Sequence, residues 1–381
     1  MIPGVPDPRI FASQDLRAAI ESGWVSVPEH YSIPAASIQP SSIDLSLGET
    51  AWRLKCSFLP DAGSTVEEKV QDLAFDQVDL RGEGAVLERD RPYLIPLTEE
   101  LNLPQGVRAR TNPKSSTGRL DVFTRVITDR NNRFDEIQEG YRGKLYLEVV
   151  SRSFAIKVKQ FLSLNQLRLA SGDPRLRDDE IRGLHGESPL LYMGRRPLAA
   201  SELMISDGLF LSLDLMPGPD RRVVGYKAKR TSDPIDLTSR GNLTEDYWEP
   251  VYLDRGSRLI LEPEVFYLLL SSEGICIPPD YAAEMLAYDP TAGELRTHYA
   301  GFFDPGFGYD PVGNGHGSKA ALEVRARDVP FMVEHGQPIC KLAFERLGAT
   351  PDVLYGSDLD SNYQGQETML SKHFAEQAAA R

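Results

Sequence analysis

Cysteine is scarce in this chain: Cys56, Cys276 and Cys340 are the only three in 381 residues, and no Cys-x-x-Cys occurs. That argues against a disulfide framework and a thiolate zinc site, and it fits a reducing compartment. Long apolar runs are absent too, so no stretch of about 18 residues reads as a membrane span. The start, Met1-Ile2-Pro3-Gly4-Val5-Pro6-Asp7-Pro8, has neither the basic residues nor the apolar core of a signal peptide. Cytoplasmic residence is the expectation. Positive charge is also short, with 42 Lys and Arg against 56 Asp and Glu, a net charge of −14. Such a surface repels phosphate backbones and anionic lipid, so neither nucleic acid nor membrane is an expected partner.

Several catalytic signatures are missing. His185-Gly186-Glu187 has the His-x-Glu form of zinc nucleobase deaminases, but the Pro-Cys-x-x-Cys that completes their metal shell does not occur, and His185 reads as a loop histidine. Gly313-Asn314-Gly315-His316-Gly317-Ser318-Lys319 misses the phosphate-loop spacing and reads as a hairpin loop. No Gly-x-Ser-x-Gly elbow and no His-Glu-x-x-His helix is found.

What the chain does contain is a repeat. With 41% hydrophobic residues and a length that suggests two domains, each half can bury a core. Leu87-Glu88, Tyr93-Leu94-Ile95, Glu99 and Leu103-Pro104 recur at an offset of 174 as Leu261-Glu262, Tyr267-Leu268-Leu269, Glu273 and Ile277-Pro278. Leu147-Glu148-Val149, Ile156, Leu164, Leu167 and Leu169 recur at an offset of 175 as Leu322-Glu323-Val324, Phe331, Ile339, Leu342 and Phe344. Leu45-Ser46-Leu47 is echoed by Leu211-Ser212-Leu213. Two copies make a tandem duplication, not a solenoid.

Each copy reads as mainly β. Lys144–Val150 and Phe154–Val158 alternate as half-buried strands, and closely spaced Gly and Pro suggest a barrel or sandwich. Helices are expected only at 13–22, with Ser13 as N-cap, and in the tail over 367–380. The polar stretch 172–196 reads as a linker, which places the domains at 1–195 and 196–381.

Two segments carry chemistry. Lys114-Ser115-Ser116-Thr117-Gly118-Arg119 gathers two cations and three hydroxyls around a glycine in an acidic chain. Those hydroxyls, backbone N–H groups near Gly118 and an Arg fork form a donor set for polyphosphate, though an ordinary polar turn has the same composition. In Gly140-Tyr141-Arg142-Gly143-Lys144-Leu145-Tyr146-Leu147-Glu148, placing Leu145 and Leu147 on the core puts Tyr146 and Glu148 on the opposite face. A carboxylate there is ordinarily solvated; if it borders the phosphate turn, desolvation suits it to general acid/base work.

In this order and at this separation, the two segments resemble the deoxycytidine triphosphate deaminase branch of the trimeric deoxyuridine triphosphatase superfamily. That family has a basic-Ser-Ser-x-x-Arg motif, then a Gly-aromatic-x-Gly turn leading to a strand that ends in Leu-Glu. Gln39-Pro40-Ser41-Ser42-Ile43-Asp44-Leu45-Ser46-Leu47-Gly48 matches its early strand, and the duplication is similar to the long, tandem-domain bacterial form. The resemblance implies a tandem pair of distorted, jelly-roll-like β-barrels that deaminates dCTP to dUTP and ammonia without zinc, the triphosphate bringing Mg²⁺. It implies Glu148 as general base and then acid, and Ser115 and Arg119 as groups that orient water and stabilise charge. Lys114, Ser116, Thr117, Gly118, Gln138, Tyr146 and Leu147 become nucleotide contacts.

The sister branch hydrolyses the triphosphate of dUTP with an Asp near the aromatic turn. Here Gln138 stands where both branches often have Asp, which weakens that reading and leaves the sugar contact open. A bifunctional enzyme giving dUMP and a non-catalytic nucleotide-binding regulator remain alternatives. In the second copy, the segment from Tyr288 to Arg296 replaces the Ser-Ser-x-x-Arg with acidic residues, so no complete site is expected there, although Asp304 or Glu323 could complete a site begun by Ser115 and Arg119. Asn362-Tyr363-Gln364-Gly365-Gln366 resembles the family's closing segment, which implies contacts from Tyr363 and Gln366, with Asn362 in place of a Lys. The resemblance also implies a homo-oligomer, either a trimer or a dimer of tandem chains.

Overall fold

The computed structural model describes residues 7–216, 223–253, 256–286, 295–297, 301–310, 315–356, 363–364 and 369–374. The chain forms two units: Met1–Pro174 with Asp233–Asn242 and Leu347–Asp352, and Arg175–Ser232 with Leu243–Arg346 and Val353–Arg381. The break falls at Pro174/Arg175 and not near residue 195. The reason is that Asp178–Glu187 is a helix, not a linker. The Arg177 backbone N–H donates to Glu180 Oε2 at 2.9 Å, and Asp178, Asp179 and Glu180 sit at the positive end of its dipole. Its apolar stripe, Ile181 and Leu184, is buried in the second unit's core with Leu190 and Leu191. His185 is accordingly a buried helical residue, bridging Leu198 O and the Leu190 N–H.

The first unit is built from two main sheets. One orders Arg9–Ile10, Ser163–Ser171, Val107–Pro113 and Glu136–Ile137, with Ile43–Ser46 beside Ser163–Ser171; the other orders Ala74–Asp79, Thr50–Leu54, Tyr93–Asn102, Arg142–Ser151 and Val122–Ile127. A small sheet joins Ala85–Leu87, Ile156–Val158 and Ile235–Asp236. In the second unit, Phe266–Ile275 pairs with Ser318–Ala326, and Tyr281–Leu286 with Pro338–Arg346. Both units are mainly β.

The pairings repeat the sequence duplication residue by residue. Tyr93 faces Val149 and Leu94 faces Glu148, as Tyr267 faces Val324 and Leu268 faces Glu323. Leu87 faces Ile156 as Leu261 faces Phe331. Even an irregularity recurs: the register slips between Pro96 and Glu100 in one copy and between Leu270 and Gly274 in the other. Each slip holds an inward carboxylate. Glu99 Oε2 accepts the Ser46 N–H and Glu273 Oε2 the Ser212 N–H, both at 2.9 Å. Bulges of this kind fix register where alternation alone would allow a slide.

The helix expected at 13–22 spans Ser13–Glu21, with Ala12 in the cap position and its N–H donating to Asp15 Oδ2 at 3.2 Å. Of the expected tail helix, the described residues 369–374 are not helical. Sequence reading did not anticipate the helix Val66–Leu73, started by a reciprocal pair: Thr65 Oγ1 accepts from Glu68 N–H and Glu68 Oε2 accepts from Thr65 N–H.

Candidate active site

Glu148 lies in the strand Arg142–Ser151, between Leu94 on one neighbouring strand and Arg125 on the other. Alternation places Leu145, Leu147 and Val149 on the inner face, all fully buried, and Tyr146 and Glu148 on the other. That other face is roofed. Val66 and Val70 of the helix pack with Leu54, Leu94, Ile127 and Tyr146, supported by Trp52, Phe58, Leu59 and Phe134. The Tyr146 hydroxyl donates to Glu67 Oε1 at 3.0 Å, and Lys144 Nζ reaches the same oxygen at 2.9 Å. Lys144 and Tyr146 together hold the Glu67 carboxyl below its ordinary range, while burial pushes the Tyr146 hydroxyl up.

Under that roof the Glu148 side chain has no exposed surface. Its Oε1 accepts from Arg125 Nε at 3.0 Å and also from Nη2; its Oε2 is buried and has no hydrogen-bond partner among the described residues. Arg125, 35% exposed in its side chain, also reaches Ser57 Oγ at 3.3 Å and lies 4.1 Å from the centre of the Phe134 ring. Next to Phe134, Asp135 adopts φ +62° and ties the loop down, its Oδ1 accepting from Thr111 Oγ1 at 2.7 Å and Val126 N at 2.8 Å. Burial pushes the Asp135 carboxyl up to about 7, with Arg125 pulling it down and Glu148 pushing it up.

The segment from Lys114 to Arg119 links a strand of one sheet, Val107–Pro113, to a strand of the other, Val122–Ile127, which pairs with the Glu148 strand. Ser115–Gly118 is a single helical turn. Ser115 is exposed, whereas Ser116, Thr117 and Arg119 are buried. The Thr117 and Gly118 N–H groups donate to Lys114 O, at 2.8 and 3.0 Å, so they close the turn and are not directed at a phosphate as expected from sequence. Lys114 Nζ pairs with Asp44 of the early strand, which neutralises that cation.

In the aromatic turn, Gly140 has φ +70°, a left-handed conformation that favours glycine, and a Cβ there would meet only the tip of the exposed Gln105 side chain. The Tyr141 hydroxyl donates to Lys144 O at 2.7 Å, and Gln138 is exposed.

Asp304, Glu323 and Tyr363 belong to the second unit. Glu323 takes the place opposite Leu268 that Glu148 takes opposite Leu94 and is only half-buried. Tyr363 is buried, its hydroxyl accepting the Lys372 N–H at 3.2 Å, and Gln364 Oε1 accepts the Gly308 N–H at 3.0 Å. Residues 287–294, Asn362 and Gln366 lie outside the described residues. Sequence reasoning missed Arg125, Phe134 and Asp135. Arg125 had one signal, a cation at an outward position of the apolar run Val122-Phe123-Thr124-Arg125-Val126-Ile127; the loop holding Phe134 and Asp135 had none. No helix of the described residues is long and apolar enough to cross a membrane.

The chain matches the family profiles of the 2′-deoxycytidine 5′-triphosphate deaminase N-terminal domain over residues 7–173 and C-terminal domain over residues 177–374. A crystal structure of 2′-deoxycytidine 5′-triphosphate deaminase from Agrobacterium tumefaciens is 40% identical and superposes with a TM-score of 0.83, covering 90% of this chain and 100% of that one. Curated relatives cover less. A dCTP deaminase of Acidianus ambivalens is 23% identical over 40% of this chain and 78% of its own length. A dCTP deaminase described as dUMP-forming, from Beutenbergia cavernae, is 35% identical over 30% of this chain and 58% of its own length. Profiles and fold together fit a tandem deoxyuridine triphosphatase-like β architecture, and the chain belongs to the 2′-deoxycytidine 5′-triphosphate deaminase family.

Proposed function

We propose that this chain takes Mg²⁺-bound dCTP and replaces the amino group at cytosine C4 with oxygen, giving dUTP and ammonia. The observation that carries the reading is Glu148: fully buried, fixed through one oxygen, with its other oxygen unpartnered among the described residues. A carboxylate so placed takes a proton from water as the hydroxide adds to C4, then returns it to the amino nitrogen as the C–N bond breaks, the added hydroxyl becoming the C4 carbonyl with its proton on ring N3. Ser115, exposed at the start of its turn, orients the water, and Arg119 stabilises charge developing beside the base. The remaining residues of 114–119, with Gln138, Tyr146 and Leu147, contact the nucleotide, and Tyr363 and Gln366 serve in closure over it.

No zinc takes part in this reading. Cys276 and Cys340 are buried, and burial pushes the Cys276 thiol up to about 12, away from the thiolate a metal needs. Mg²⁺ arrives with the triphosphate and offsets its charge against an acidic chain. A homo-oligomer, trimer or dimer of tandem chains, and a cytoplasmic location complete the proposal.

Separating products after incubation with dCTP and Mg²⁺ tests it. The expected product is dUTP. Formation of dUMP would assign the bifunctional activity, and unchanged dCTP at saturation would leave a nucleotide-binding regulator. Chelation of Mg²⁺ should inhibit, while stoichiometric protein-bound zinc would contradict the mechanism. Sedimentation gives the oligomeric state.

A further inference from the structure

Arg125 is the one cation that the described contacts bring to Glu148, and everything around it holds it there. Its Nε and Nη2 converge on Glu148 Oε1, Ser57 Oγ lies 3.3 Å from Nη2, and the Phe134 ring backs the guanidinium at 4.1 Å. Phe134 is fixed in turn by Asp135, anchored on Thr111 and Val126. Because Glu148 and Arg125 are directly opposed on paired strands, the side chains meet without either strand bending.

We propose that Arg125 is the positioning residue of the deaminase site: by gripping Glu148 Oε1 it turns Oε2 toward the reacting water. The inference rests on the proposed deamination for its kinetic consequences and on geometry for the rest. Two charged or titratable groups act on the carboxylate, Arg125 across the strand pair and Asp135 from the loop behind it, whereas Glu67 of the roof helix is held by Lys144 and Tyr146. The strand on the other side offers Leu94 opposite, with no charge. Of these groups only Arg125 bonds to Glu148, so removing it leaves the carboxylate enclosed with the Asp135 carboxyl as its charged neighbour. A buried carboxylate that loses a neighbouring cation becomes easier to protonate by about one to three pH units.

The test compares the wild type with Arg125→Met and Arg125→Lys. In Arg125→Met the acid limb of the kcat–pH profile should move up by at least about one unit, so that kcat on that limb falls about tenfold or more, with KM for dCTP within about threefold. Arg125→Lys, which keeps the charge but loses the fork, should recover part of the shift. An unmoved limb, or a change confined to KM, would overturn the assignment. A readout independent of turnover is the infrared carboxyl band of Glu148, isolated by subtracting spectra of matched variants carrying Glu148→Gln. Its titration midpoint should rise in Arg125→Met. A midpoint equal to that of the wild type overturns the inference even in an active enzyme. A wild type that leaves dCTP untouched sinks the deaminase reading, while the band still decides what Arg125 does.

Discussion

Tyr93 and Tyr267 occupy the same place in the two copies: each hydroxyl accepts the backbone N–H of the residue five positions earlier, Glu88 or Glu262, at 3.1 Å in both. The duplication has therefore kept a side-chain bond to the backbone as well as an apolar pattern. Tyr93 carries one addition, since Arg53 Nε also donates to its hydroxyl at 3.3 Å.

Tyr267→Phe removes one bond and Tyr93→Phe two. We expect a loss of about 1 kcal/mol for the first and a larger loss for the second. Calorimetric transitions of the two variants check the order; equal losses would mean that the Arg53 contact contributes nothing.

Glu148→Gln keeps size and shape but removes the proton acceptor. Turnover of dCTP should fall by about two to four orders of magnitude, while nucleotide affinity stays within a few fold. Retained turnover would place the base elsewhere, with Glu323 the first candidate.

Arg119 is buried in the turn that opens the Val122–Ile127 strand. Arg119→Ala should damage both KM and kcat, because the side chain is assigned to binding and to charge stabilisation. Steady-state kinetics that match the wild type would remove Arg119 and its turn from the site.

Glu323 has the register of Glu148 but is only half-buried. Glu323→Gln should leave kcat within about twofold. A loss comparable to that of Glu148→Gln would make the second copy a contributor to the chemistry.

Asp135 links pH to stability. Burial raises its carboxyl from 3.8 to about 7, so across that window the native protein holds a proton that the unfolded chain releases. Its stabilising contribution is complete below about 4 and disappears as pH rises through about 7, a change of at most about 4 kcal/mol. Asp135→Asn keeps an oxygen for Thr111 and Val126 but cannot titrate. Denaturant midpoints at about pH 5 and pH 8 should therefore fall more steeply with pH in the wild type than in the variant; parallel slopes would remove Asp135 from this role.

The repeat was legible because it is written in apolar spacing, which is what strand pairing reads: Tyr93-Leu94-Ile95 and Tyr267-Leu268-Leu269 show their registers directly. The face bearing Glu148 followed from the same alternation. Its roof did not, since Val66–Leu73 gives that cluster only Val66, Val70 and a partly buried Leu73, too few for a clear helical stripe. Asp178-Asp179-Glu180 looked like a solvated linker because acids that favour a helix start also favour a loop. Arg125 and Asp135 acquire their meaning from partners distant in sequence, Glu148 and Thr111, and no local pattern announces such encounters.

The first unit's borrowed segments bear on how the protein is made. Its small sheet needs Ile235–Asp236, and the helix Ser13–Glu21 receives Thr350 and Asp352, so the chain leaves this unit, builds most of another, and returns. On the ribosome the unit holding Glu148 stays unfinished until nearly all of its duplicate has been synthesised. A nascent chain stopped near residue 195 would carry every residue of the proposed base and its turn, yet would lack the third strand of the unit's small sheet and the segment that clasps its first helix.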